Sequence, residues 1–363
     1  MDILIIRISA IGDVLHTFPA AKLIQQTVPQ ARLHWVVQKK AAALLQDQPF
    51  LHSVLLLPDK PLHFKNWSST FKVILQLYKK KWDAIIDFQG ILKSFILMAP
   101  LRGKKFGFSY HHARSKLISF ATDYHINPEP AINVIQKNLA LASGALLKIA
   151  PEYKASPTIQ ELSKNFPFVV PQIIKKNVDD WFEKNKILHP IILSPNTTWD
   201  SKHWPTHHWK KLVQILLEKQ TSPIVLLGTH LQGQAAALAS LKIPSLHIAP
   251  TWDLQATAHA LTHAQLVIAP DTGILHLADA VGAPTIGLFG PTSPKIHGPI
   301  LHDHNAKNNL CIPCSHFYKK QHDSFDCMAS LKPEKLAEEI LKQTTNYISK
   351  ILNAHHSFLT SIK

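Results

Sequence analysis

Cysteine is scarce in this chain, with 3 in 363 residues. Cys311, Cys314 and Cys327 are spaced C-x2-C-x12-C, a trio that fits reduced thiols in a loop better than a disulfide. A zinc site would need a fourth ligand from His302, His304, His316 or His322. No signal peptide is visible: Met1-Asp2 opens without a basic region, and Ile3 to Ile8 reads as a short strand. The most apolar stretches, such as Ser94 to Leu101, are too short to span a bilayer. No tandem repeat or low-complexity segment occurs. These absences together point to a cytoplasmic protein.

Acidic residues are outnumbered, 24 against 39 Lys+Arg, for a net charge of +15. The excess is uneven: residues 1–150 hold 19 Lys+Arg and 8 Asp+Glu, which is +11. Its clusters are Lys79-Lys80-Lys81, Arg102 with Lys104 and Lys105, and Arg114 with Lys116. Such a half suits nucleic acid, an anionic membrane face, a polyanionic substrate, or simply a solvated basic surface. The aromatic residues do not interleave with the clusters as an RNA-stacking surface requires, and no reader motif occurs, so nucleic acid is disfavoured.

Apolar residues make up 46% of the chain and charged residues 17%, enough for full cores. The length predicts two domains. Short apolar runs alternate with helical patterns: Ile3–Ile8, Leu33–Val37 and Ala84–Phe88 read as strands in the first half. Ile191–Leu193, Ile224–Leu227, Leu246–Ile248, Leu266–Ala269 and Thr285–Phe289 do so in the second. Uninterrupted apolar strands separated by helices argue for parallel sheets covered on both faces. The fold class expected is therefore α/β, with two Rossmann-like domains facing a cleft. Pro151, Pro157, Pro167 and Pro171 punctuate the connection. The domains are read as 1–160 and 161–345, with a tail over 346–363. An amphipathic terminal helix is predicted over Pro333–Lys350.

Three strand-end loops carry chemistry-bearing residues. The first strand runs into Ser9-Ala10-Ile11-Gly12-Asp13 and then a helix. Gly12 permits a tight turn, and Asp13 is either a helix cap or a general base. Ile191–Leu193 ends in a loop that offers Thr197, Thr198 and Lys202, two hydroxyls and an ammonium suited to a diphosphate. Leu266–Ala269 is followed by Asp271-Thr272-Gly273-Ile274-Leu275-His276, a small turn opening a helix, where backbone N–H groups face an anion. His276, one turn in, is placed to reach the same anion.

Ile11-Gly12-Asp13-Val14-Leu15-His16-Thr17, Asp87-Phe88-Gln89-Gly90-Ile91-Leu92-Lys93-Ser94, Lys202-His203-Trp204-Pro205 and Asp271-Thr272-Gly273 with His276 together resemble glycosyltransferase family 9. These are the ADP-heptose:lipopolysaccharide heptosyltransferases of the GT-B fold, and the likeness spans most of the chain. The first two motifs look more like the heptosyltransferase I branch than heptosyltransferase II. The cysteine trio resembles a loop of other members.

The resemblance implies an inverting transfer of heptose from ADP-heptose to a Kdo hydroxyl of Kdo-lipid A, with Asp13 as base. Thr197, Thr198, Lys202, Thr272, Gly273 and His276 would hold the diphosphate, and Asp271 would bind sugar hydroxyls or cap its helix. Trp252 would fall at the adenine pocket or simply fill core. Gln232 (or His230) stands where the family often has a ribose-binding glutamate. The acceptor side would include Ser9, Gly12, Lys93 and Arg114, while Asn133 and Lys137 replace a family His/Arg pair. No Asp-x-Asp motif occurs, which agrees with a transfer needing neither metal nor cofactor. Lys93, Arg102, Lys104, Lys105 and Arg114 would then steer the enzyme to the anionic cytoplasmic face of the inner membrane as a peripheral protein.

Overall fold

The computed structural model describes residues 1–131, 133–152, 161, 168–219, 222–228, 232–302, 310–311 and 326–345. His230, Cys314, His304, His316, His322 and the 346–363 tail lie outside the described residues. The chain divides into two compact units, Met1–Pro171 and Gln172–Lys363. The division falls later than the boundary read from the prolines, because residues 168–170 belong to the first unit's packing. Phe168 stacks on Phe18 at 6.4 Å. Gln48 clasps Val169 through both main-chain groups, donating to its carbonyl at 3.1 Å and accepting from its N–H at 3.1 Å.

The first unit runs β1 (Asp2–Ile6), α1 (Ile11–Leu15), α2 (Phe18–Thr27), β2 (Arg32–Gln38), α3 (Lys39–Ala42), β3 (Ser53–Leu57), α4 (Trp67–Tyr78), β4 (Lys81–Asp87), α5 (Leu92–Met98), β5 (Arg102–Phe108), β6 (Tyr124–Ile126) and α6 (Val134–Ile149). Its strands form one sheet in the order β3-β2-β1-β4-β5-β6, all parallel. Ile3, Leu4, Ile5 and Ile6 are all fully buried, as expected of a central strand covered on both faces. Each such side chain contributes about 1.5–3 kcal/mol of burial.

The second unit repeats this order. Its elements are α7 (Gln172–Lys184), β7 (Ile191–Leu193), α8 (Thr206–Lys219), β8 (Ile224–Leu226), α9 (Gly233–Ala239), β9 (Leu246–Ile248), α10 (Leu254–Thr262), β10 (Leu266–Pro270), α11 (Gly273–Ala280), β11 (Thr285–Phe289), α12 (Pro294–His297), β12 (Leu310–Cys311) and α13 (Asp326–Ser330). The sheet is β12-β11-β10-β7-β8-β9, again all parallel. Residues 333–345 are helical, and Leu336, Ala337 and Ile340 join the core around Trp204, Trp209 and Leu212.

Reading outward from each unit's first strand, both sheets follow the 3-2-1-4-5-6 winding. The strand order reverses between β1 and β4 in one unit and between β7 and β10 in the other. Ligands of open α/β sheets bind beyond the carboxyl ends of such a strand pair. All three chemistry-bearing loops leave from those pairs.

Candidate active site

In the first unit Asp13 sits in the opening turn of α1, whose N-cap position is Ala10. The carboxylate is therefore not the N-cap of this helix. Its Oδ1 lies 2.9 Å from Nη2 of Arg7, and its Oδ2 lies 3.5 Å from Nη1 of Arg114. Arg7, at the end of β1, is almost fully buried, while the Asp13 side chain keeps 19% of its surface in solvent. Burial alone would raise the Asp13 pKa, but Arg7 first and Arg114 second outweigh it and hold the carboxyl below its ordinary value. The group is thus ionised at neutral pH.

The Asp87–Ser94 segment explains how this geometry is kept. The fully buried Asp87 carboxylate accepts from Ser94 Oγ at 2.7 Å and from the Gln89 and Gly90 N–H groups at 2.8 and 3.2 Å. Burial pushes its pKa up to about 6 despite these donors. The Gln89 carboxamide oxygen then accepts from the N–H groups of Ile8 and Ser9 at 2.8 and 3.0 Å, tying the loop after β4 to the loop after β1. Gly90 has φ +63°, a conformation costly for other residues. Its carbonyl accepts from Ser115 N–H at 2.9 Å, which sets the loop carrying Arg114. Lys93 lies half-buried in the first turn of α5, and Asn133 caps α6 through Ile135 N–H at 2.9 Å.

The second unit's pair has the opposite polarity. Asp271, at the end of β10, is buried; its Oδ2 accepts from Lys202 Nζ at 2.6 Å and Thr292 Oγ1 at 2.7 Å, and its Oδ1 lies 3.1 Å from His276 Nε2. Burial raises its pKa, but His276 and then Lys202 pull it far below the usual carboxylate range. Lys202 is carried by a short turn whose neighbour Trp204 is fully buried, with its indole N–H donating to the Leu331 carbonyl at 2.9 Å. That anchor explains the Lys-His-Trp-Pro spacing.

Thr272 occupies the N-cap position of α11, so Asp271 is not the cap, and His276 turns inward to Asp271. Among the described residues, the buried Thr272 hydroxyl has no hydrogen-bond partner; it lies at the start of the helix. Thr197 Oγ1 donates to the Trp199 carbonyl at 2.7 Å, and Thr198 is exposed. Asn196 braces this loop, donating to the Gln232 carbonyl at 3.0 Å and accepting from Ala235 N–H at 3.1 Å. Gln232 itself is exposed at the N-cap of α9. Trp252 is half-buried, edge-on to Trp181 at 5.2 Å and 6.1 Å from Phe182. Among the described residues, neither Asp13 nor Asp271 belongs to a group of three metal-ligating side chains.

Arg7 and Thr292 are functional neighbours that lie outside the sequence motifs, and Gln89 lies inside one without its partners being readable from it. Arg7 did have a signal, a charge interrupting an otherwise apolar strand. Residues 70–328 match the profile of glycosyltransferase family 9 (heptosyltransferase). The chain belongs to this family. The lipopolysaccharide heptosyltransferase 1 of Escherichia coli strain K12 is 28% identical to the transferase over 312 residues, covering 82% of this chain and 90% of that one. The protein of the same name from Pseudomonas aeruginosa strain PAO1 is 25% identical over 328 residues, 86% of each chain. In structure, the E. coli heptosyltransferase WaaC with ADP superposes with a TM-score of 0.73 at 24% identity, covering 94% of this chain and all of that one. The transferase thus has the GT-B fold of these enzymes. No helix among its described residues is long and apolar enough to cross a membrane.

Proposed function

We propose that this glycosyltransferase moves heptose from ADP-heptose to a Kdo residue of Kdo-lipid A, with inversion at the anomeric carbon. The observation that carries the reading is the pair of oppositely polarised switch points within a family 9 chain: a carboxylate left partly open in one unit and an ammonium in the other. The acceptor oxygen bonds to the anomeric carbon as the bond to the ADP phosphate breaks, and the hydroxyl proton passes to Asp13. A carboxylate held at low pKa is a weak base. It suffices because the hydroxyl becomes acidic once bonding to carbon is advanced. Charge developing on ADP is met by Lys202, by the N–H groups and hydroxyl at Thr272 and Gly273, and by Thr197 and Thr198. Trp252 supplies a face for adenine and Gln232 a neutral partner for ribose. Ser9, Gly12, Lys93 and Arg114 form the acceptor side. The names of the relatives and the ADP-bound neighbour support this assignment of donor and acceptor class.

The measurement is ADP release from ADP-heptose with Kdo-lipid A, in EDTA. Acceptor-dependent turnover supports the reading. Turnover only on an acceptor already bearing one heptose would reassign the enzyme to the second heptose addition, and release with neither would remove the heptose assignment.

The acceptor's setting gives α4 a role. Phe64, Trp67, Phe71, Leu75 and Tyr78 are 41–74% exposed, and the last four recur on one helical face. Thr70 and Leu77 are buried on the opposite side, with Val73 and Ile74 against the core. Lys60, Lys65, Lys72, Lys79 and Lys81 accompany the stripe, while Lys80 is paired to Asp2 at 2.7 Å, and no acidic residue occurs between Asp59 and Asp83. An aromatic stripe edged by lysine is the pattern of a helix lying in an anionic lipid interface. Two copies of so basic a face would repel each other. The enzyme should therefore sediment with phosphatidylglycerol vesicles but weakly with phosphatidylcholine ones, and Trp67→Ser with Phe71→Ser should abolish the binding. Undiminished binding by the double variant would discard this surface.

A further inference from the structure

The second unit carries a cluster that the transfer chemistry does not use. Asp179 lies on α7, His259 in the last turn of α10, and His263 at the C-cap of α10. The Nε2 atoms of His259 and His263 lie 2.7 and 2.9 Å from the same oxygen, Oδ1 of Asp179. One ligand atom from each residue falls within 4.8 Å of the others. Histidines four apart on a helix sit one above the other, so both rings turn to the same side. Packing fixes them there: His263 lies flat on Phe182 at 4.3 Å and 11°, and His259 meets it edge-on at 5.3 Å. The partial negative charge at the end of α10 adds to that of the carboxylate, so the place favours a cation.

We propose that Asp179, His259 and His263 bind a divalent transition metal of the zinc class, clipping α7 to α10. Two imidazoles and one carboxylate are a donor set for such an ion, whereas calcium and magnesium demand oxygen ligands. Ligation at about 2.0–2.2 Å would replace the present hydrogen bonds by a small spreading of the three atoms, with each ring keeping its proton on Nδ1. The side chains of His259, His263 and Asp179 are 16%, 30% and 40% exposed, so water can enter and complete the coordination.

The clip has a consequence for its surroundings. Trp181 and Phe182, on the same helix as Asp179, are the residues against which Trp252 packs. The ion would stiffen the seat of the proposed adenine platform without touching the reacting atoms; this last step alone rests on the donor reading above.

The test uses the metal-stripped full chain with Cys311→Ser and Cys314→Ser, titrated with Co2+ and then Zn2+. One equivalent of Co2+ should bind, showing visible ligand-field bands without a thiolate charge-transfer band, and Zn2+ should displace it and raise Tm. Asp179→Asn and His263→Gln should each weaken binding at least about tenfold, while both retain a cooperative melt in EDTA. Absence of bound Co2+, or binding undiminished in both variants, would overturn the site. The readout is spectroscopic, so a failure of heptose transfer leaves it intact. If the ion binds but ADP affinity is the same with and without it, only the coupling to Trp252 falls.

Discussion

The two switch points are built on the same winding with opposite charge. At β1/β4 the buried partner is a cation, Arg7, and the carboxylate of Asp13 is the partner left partly in water. At β7/β10 the buried partner is an anion, Asp271, and the ammonium of Lys202 is the more exposed member. In both, the hidden ion fixes the sign and direction of the charge the solvent sees. A buried pair contributes little net stability, so these pairs are better understood as ways of aiming one charge. A parallel sheet can therefore serve either a proton acceptor or a phosphate anchor, depending on which partner is sealed in.

The largest test of this contrast is Asp13→Asn, which removes the outward charge of the first unit. We expect kcat to fall about 10^2- to 10^4-fold, with ADP binding by calorimetry unchanged; a variant near wild-type rate would remove Asp13 as base. Next comes Arg7→Met, which deletes the sealed partner instead. It should cost about 3 kcal/mol in urea unfolding, since Asp13 would lose its close cation and keep the more distant Arg114. Lys202→Met should weaken ADP binding about 10- to 100-fold, the worth of a charge-assisted contact, and equal affinity would show that the ammonium serves only Asp271. The smallest effect concerns Asp87. Its folded pKa is raised to about 6, so its contribution is full below the ordinary carboxylate value and is lost as pH rises through about 6. Asp13 and Asp271 are held low and behave oppositely, losing theirs only in stronger acid. The stability difference between wild type and Asp87→Asn should accordingly shift by about 1 kcal/mol between pH 5 and 7, read from urea midpoints.

The alternation of strands and helices was legible because fully buried parallel strands leave unbroken apolar runs, such as Ile3–Ile6 and Ile191–Leu193. The strand-end motifs were legible because glycine, threonine and charged residues interrupt those runs. Partners were not. Spacing shows that Asp271 and His276 share a turn, but not that the imidazole closes on the carboxylate. Nothing in local sequence links Gln89 to Ser9, or Asp179 to His263, since those meetings depend on how separate elements pack. Asp87 stood in plain view within a motif, yet its burial, and hence its high pKa, exists only in the folded sheet.

Gln89 holds the β1 loop with one neutral oxygen bridging two N–H groups. An amide bridge does not respond to ionic strength, whereas the attraction of exposed Arg114 for Asp13 is screened by salt. Raising the salt should thus retune the proton affinity of Asp13 while leaving its position alone. With a small uncharged acceptor and saturating ADP-heptose, the shift with salt of the acidic limb of the kcat–pH profile gauges the field at that carboxylate.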